Sequence, residues 1–177
     1  HLPQPRGVAG TLFVHKIAGA LAESGASLDD VTAAARRVIA NVASIGKSLD
    51  TCTVPGSPKE DRIPAGKAEL GLGIHGEPGV EQVDFDGAAA AMTLVLDKLT
   101  PHLGDRHCIA LVNNLGSTTP LEMSVLPHAL AEAGVVSHII GPAPMMTSLD
   151  MHGFSVSVLP VDDQDLAALA EPVPMSA

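Results

Sequence analysis

The 177-residue sequence has no tryptophan and no tyrosine, and aromatic residues make up only 2% of it. Stacking on bases or sugar rings therefore has almost no side chains to use. The core has to be filled by Ala, Val, Leu, Ile and Met, which suits helices packed closely on a sheet. Positive charge is scarce as well: ten Lys and Arg stand against twenty Asp and Glu, for a formal net charge of −10, with no basic cluster beyond Arg36-Arg37. That balance argues against nucleic acid and against an anionic membrane as partners. The longest apolar runs, such as 88–92 and 108–112, fall far short of the roughly 20 residues that a membrane-spanning helix needs. The two cysteines, Cys52 and Cys108, are far apart, show no metal-ligand spacing and sit in apolar strand-like runs. They read as buried free thiols of a reducing cytoplasm. No HExxH or comparable spacing occurs, so no metal site is proposed, and His1, His15, His102, His107, His128, His138 and His152 read as surface or satisfied buried histidines. A Walker A segment is missing too. The nearest thing to a kinase glycine loop, Gly71-Leu-Gly73, leads to His75 where a lysine would be needed.

What is present is a foldable chain: 46% hydrophobic and 17% charged residues exclude a disordered polymer, and the length suits one domain. Phe13, Ile17, Ala20 and Leu21 repeat at helical spacing. So do Val31, Ala35, Val38, Val42 and Ile45, behind Ser27 as N-cap with Asp30 three residues on. Residues 51–54 are a short strand candidate, 59–67 a polar loop, and 69–74 a strand that delivers His75 at its end. Met92, Val95, Leu96 and Leu99 mark a third helix, stopped by Pro101. Farther on, 108–112 reads as a buried strand and Thr119-Pro-Leu-Glu122 as a capping box with proline at the first helical position. Gly134 closes that helix, and 135–140 is the next strand. Strand, helix and strand in this order imply a parallel crossover. Residues 154–159 supply another strand, with a short helix over about 163–169. The expected architecture is α/β, a mixed sheet flanked by helices.

The chemistry concentrates in Gly71-Leu-Gly-Ile-His-Gly-Glu-Pro-Gly79, where one imidazole hangs among glycines at the end of an apolar run. Without Cβ atoms, Gly73, Gly76 and Gly79 clear space for a ligand or another backbone to approach, and Pro78 stiffens the exit. The same residues would also make an ordinary Gly/Pro turn carrying an incidental histidine. Glu77, two residues away, is the nearest carboxylate; it can contact a ligand or hold the loop, and a solvated or salt-bridged carboxylate is the plainer reading. Asn113-Asn114-Leu-Gly116 and Thr147-Ser148-Leu-Asp150 flank strands, where ligand sites of open α/β sheets gather. Turn chemistry accounts for Asn113 and Asn114 as well as site lining does, and Ser148 and Asp150 can instead cap backbone amides.

Taken together, these blocks resemble the dihydroxyacetone kinase family, specifically its substrate-binding K subunit or K domain. GIHGEPG at 73–79 is the most specific block. Arg6-Gly-Val-Ala-Gly-Thr11 with Val14-His-Lys16 resembles the family's opening helix. Ala43-Ser-Ile-Gly46 and Thr51-Cys-Thr-Val-Pro55 resemble its next helix and strand, Ala110-Leu-Val-Asn-Asn-Leu-Gly116 its ALVNNLG block, and Thr147-Ser-Leu-Asp-Met151 with Gly153-Phe-Ser155 its TSLDMxGFS block. The family's GGGSGHEP-type segment does not occur, so the chain is expected to be the C-terminal part of a two-domain K protein whose N-terminal half lies elsewhere.

The resemblance implies that the His75 ring nitrogen adds to the carbonyl of dihydroxyacetone, holding it as a hemiaminal for phosphorylation to dihydroxyacetone phosphate. The addition needs a neutral imidazole, and glycerol, lacking a carbonyl, escapes it. It also implies a homodimer, with no cofactor on this chain. The phosphoryl donor, ATP-Mg or a phosphotransferase-system relay, is expected on a separate L component, and the acid and base groups in the missing half. The chain alone is then expected to be inactive. Two alternatives keep the same histidine: a kinase component for another short ketose such as a tetrose, or a noncatalytic ketose sensor.

Overall fold

The computed structural model describes residues 6, 8–75, 77–104 and 106–173. After a 3-10 turn at Val8–Gly10, the chain forms α1 (Thr11–Glu23) and α2 (Leu28–Asn41). Ser27 caps α2 as the sequence requires, its Oγ accepting from the Asp30 N–H at 3.2 Å. Then come β1 (Ala43–Ser48), β2 (Lys67–Leu70), β3 (Glu81–Asp84), α3 (Ala88–Leu99), β4 (Cys108–Asn114), α4 (Pro120–Glu132), β5 (His138–Ala143), β6 (Gly153–Pro160) and α5 (Asp163–Ala170). The capping box of α4 forms in full. Thr119 Oγ1 accepts from the Glu122 N–H, and the Glu122 carboxylate accepts from the Thr119 N–H at 2.8 Å.

The six strands make one sheet in the order β3-β2-β1-β6-β4-β5. β4 and β5 are parallel, as the crossover through α4 demands, and the other neighbours are antiparallel, so the sheet is mixed. β4 and β6 are buried along their whole length. One face packs under α3 and α4 through Ile45, Leu70, Met92, Val95, Leu126, Leu130 and Val156. The other packs under α1, α2 and α5 through Phe13, Ile17, Val38, Leu111 and Leu159. Among the described residues no helix is long and apolar enough to cross a membrane.

Besides the strand expected over 135–140, which runs from His138 to Ala143, three local expectations need correction. The helical spacing that runs from Val31 to Ile45 does not stay helical: Val42 is already extended, and 43–46, expected in a helix, begins β1. Six consecutive pairs with β6, from Ala43↔Val158 to Ser48↔Gly153, capture the segment. Strand alternation then turns Ile45 and Lys47 towards α3 and α4, and Ser44 and Gly46 towards the opposite face. Second, residues 51–54 form no strand; they lie in a loop pinned by the Thr51 hydroxyl, which donates to the Glu60 carbonyl at 2.6 Å. Cys52 is accordingly half-buried rather than buried, while Cys108 is buried in β4. Third, the strand expected over 69–74 ends at Leu70, because Gly71 at φ 74° turns the chain out of the sheet.

Candidate functional site

Gly71 releases the chain from β2, and the segment that follows is anchored by its apolar members. Leu72 is buried in a small cluster with Val8, Leu115 and Met151, and Ile74 packs against it. Gly46 on β1 faces Leu72, which lies at van der Waals distance from the Cβ position there. With Leu72 and Ile74 held inward, His75 is set outward, its side chain 82% exposed. Ser148 fixes the level of the segment from the far side: its hydroxyl donates to the Ile74 carbonyl at 2.7 Å, and its N–H to the Leu115 carbonyl at 2.7 Å.

Glu77 folds back over the turn. Its Oε2 accepts from the His75 N–H at 2.9 Å, and its Oε1 lies 3.6 Å from His75 Nδ1 and 3.0 Å from an Arg6 guanidinium nitrogen. Its own backbone N–H, that of His75 and the charge of Arg6 hold the Glu77 carboxyl below the ordinary carboxylate range despite some desolvation. A Cβ at Gly73 would overlap this carboxylate and crowd Arg6, so glycine there makes room for the ion pair. Gly79 donates its N–H to Glu69 Oε2 at 3.1 Å; Glu69 in turn is buried on β2 and paired with Arg62. Gly76 lies outside the described residues.

The other expected residues divide by the bonds they make. Asp150 accepts from the Thr53 N–H at 2.5 Å and the Thr53 hydroxyl at 2.7 Å, joining the β5–β6 connection to the loop after β1. Those bonds keep its carboxyl below the usual range. Asn113 is fully buried. Its Oδ1 accepts from the N–H groups of Met145 and Met146, and its Nδ2 donates to the Met146 carbonyl and to Ser155 Oγ. Asn114 closes a turn on itself, Oδ1 accepting from the Gly116 N–H while Nδ2 donates to the Thr118 carbonyl. The structure thus brings Ser148 directly onto the His75 segment, while the polar atoms of Asn113 and Asn114 are used in holding loops. Sequence reasoning missed Arg6 as the partner of Glu77. Its only signal was the arginine that heads the Arg6-Gly-Val-Ala-Gly-Thr11 block.

Chemically, the arrangement presents one exposed imidazole on a turn, with a carboxylate 3.6 Å from Nδ1. That geometry favours a proton on Nδ1 and leaves the Nε2 lone pair free for an electrophile.

Comparison with known proteins finds relatives over nearly the whole chain. A Dak1 domain model matches residues 1–177. A dihydroxyacetone kinase of Citrobacter freundii is 40% identical over 179 residues, which cover 97% of this chain and 32% of that protein. The crystal structure of its native form superposes with a TM-score of 0.90 at 37% identity, over 96% of this chain and 32% of that one. The dihydroxyacetone-binding subunit of PTS-dependent dihydroxyacetone kinase 1 from Listeria innocua is 38% identical over 90% of this chain and 51% of its own length. The structure of a dihydroxyacetone kinase operon co-activator matches at TM-score 0.85 and 31% identity, covering 94% of this chain and 54% of that one. The chain thus spans about a third of the Citrobacter kinase and about half of the Listeria subunit.

Proposed function

Because the chain belongs to the Dak1 domain family, we propose that it is the ketose-capturing part of a dihydroxyacetone kinase K component and that His75 is the capture residue. The observation that carries the reading is the presentation of His75. An apolar anchor on either side of Gly73, the Ser148 hydrogen bond and the Glu77–Arg6 pair hold one solvent-facing imidazole in place. In the capture step the Nε2 lone pair attacks the ketone carbon and forms a C–N bond. The carbonyl π pair moves to oxygen, which takes up a proton, and the proton on Nδ1 leaves towards solvent on the side of Glu77. The product is a neutral hemiaminal with its hydroxyl groups fixed in orientation, so the ring's contribution is binding and positioning. Phosphoryl transfer is then completed with a donor carried by an L component.

The similarity to an operon co-activator supports a second reading, a ketose sensor without turnover that uses the same histidine. Assaying the complete protein with an L component and a phosphoryl donor separates the two. A kinase component forms dihydroxyacetone phosphate, and a sensor binds the ketose without forming it.

A further inference from the structure

On the sheet face opposite Leu72 and Ile74, a cavity of about 170 Å³ lies beside β1, between α3 and α4, walled by Leu49, Phe85, Ala91, Val125 and Phe154. One charge reaches into it. Lys47 of β1 lines the cavity with its side chain 2% exposed, under the ring of Phe85 at 5.6 Å from the centroid. Strand alternation sends Lys47 to this face and Gly46, which faces Leu72, to the other, so the cavity is separate from the His75 segment. Among the described residues Lys47 has no carboxylate at ion-pair distance; Asp86 acts on it only from farther away. Burial pushes the ammonium below its ordinary pKa, with the more distant Asp86 only partly opposing it. Glu122 and His152 also border the cavity but are spent on each other at 3.2 Å and on the cap of α4.

A buried cation costs free energy unless it is paired, and an apolar cavity rewards an aliphatic tail. We propose that this cavity binds a short aliphatic monocarboxylate, with the carboxylate on the Lys47 ammonium and the tail against Phe85, Val125 and Phe154. The volume is below the roughly 300–1,000 Å³ of drug-sized sites, which limits the occupant to a small molecule. A neutral alcohol would fill the apolar walls and leave the cation unpaired, so the site selects for charge as well as length.

Hexanoate is the probe, titrated into the complete protein by calorimetry and by chemical-shift mapping at Thr118 and Gly153. Saturable binding is expected, with hexan-1-ol at least about tenfold weaker, the scale of a lost hydrogen bond to a charged group. Lys47→Met should weaken hexanoate by at least about tenfold without lowering the thermal midpoint, because it removes an unpaired buried charge. Val125→Trp, at an exposed position of α4, fills the mouth with Lys47 intact and should weaken it similarly. His75→Ala should bind hexanoate as the unsubstituted protein does. Absence of saturable binding would overturn the proposal, as would equal affinity for acid and alcohol, unchanged affinity in both cavity variants, or loss of hexanoate binding in His75→Ala.

Discussion

Ser148 and Ile74 are 74 positions apart, yet the Ser148 hydroxyl donates to the Ile74 carbonyl at 2.7 Å, so the residue before His75 is tied to the connection between β5 and β6. Ser148 is buried, which shields the bond from solvent. Ser148→Ala should therefore cost about 1 kcal/mol of stability, the net worth of one such bond. It should also weaken ketose capture by the complete protein, because the turn that presents His75 loses its tether. Denaturant unfolding and a ketose titration of the same variant read both effects.

Glu77 supplies charge beside His75 more than it supplies stability. Its side chain is 36% exposed, so solvent screens its pairing with Arg6. Glu77→Gln keeps the shape and an acceptor for the His75 N–H while removing the charge. A loss of ketose affinity of about threefold to fivefold is expected, on the scale of an exposed ion pair, with stability changed by less than about 1 kcal/mol. Calorimetric titration beside thermal unfolding checks the pair of values.

Glu69 makes the acid stability of the fold testable. Burial would raise its carboxyl, but the Arg62 guanidinium and the Gly79 N–H outweigh burial and hold it below the ordinary glutamate value. A carboxyl lowered in the folded state takes up a proton more readily when unfolded, so its stabilisation is present above the unfolded value of about 4.3. It is lost as pH falls from there through the folded value. Glu69→Gln should lower stability at neutral pH and flatten the fall below about pH 4.5, as measured by urea unfolding across pH 3–7.

Asn113 is a structural anchor in this account. Its four hydrogen bonds hold the backbone of Met145 and Met146 against β4 and β6. Asn113→Ala would strand the Met146 N–H and carbonyl beside a cavity, while the Met145 N–H keeps its bond to the Ala143 carbonyl. A loss of about 2–4 kcal/mol is expected, measured by equilibrium unfolding, with ketose chemistry at His75 preserved in the folded fraction.

Most of the architecture was legible because its signals are local. Ser27 with Asp30, Thr119 with Glu122 and the continuous apolar run at Cys108 each fix an element within a few residues. The errors fall where distant pairing decides. The segment at Ala43 continues a helical spacing until β6 claims it, and β3 is a polar edge strand that exists because β2 offers an open edge to Gln82 and Asp84. The site divides in the same way. The exposure of His75 follows from neighbouring glycines and apolar anchors, whereas Arg6 reaches Glu77, and Ser148 reaches Ile74, across sequence separations that no local pattern encodes.

The central claim is that His75 captures the ketose, and the most direct measurement follows the carbonyl carbon of labelled dihydroxyacetone by NMR in the complete protein. A tetrahedral hemiaminal carbon is expected with the unsubstituted protein and with His128→Ala, whose side chain is 73% exposed on α4. That signal should vanish in His75→Ala while the fold survives, because an exposed loop imidazole contributes little to a core. A hemiaminal carbon that persists in folded His75→Ala would contradict the account.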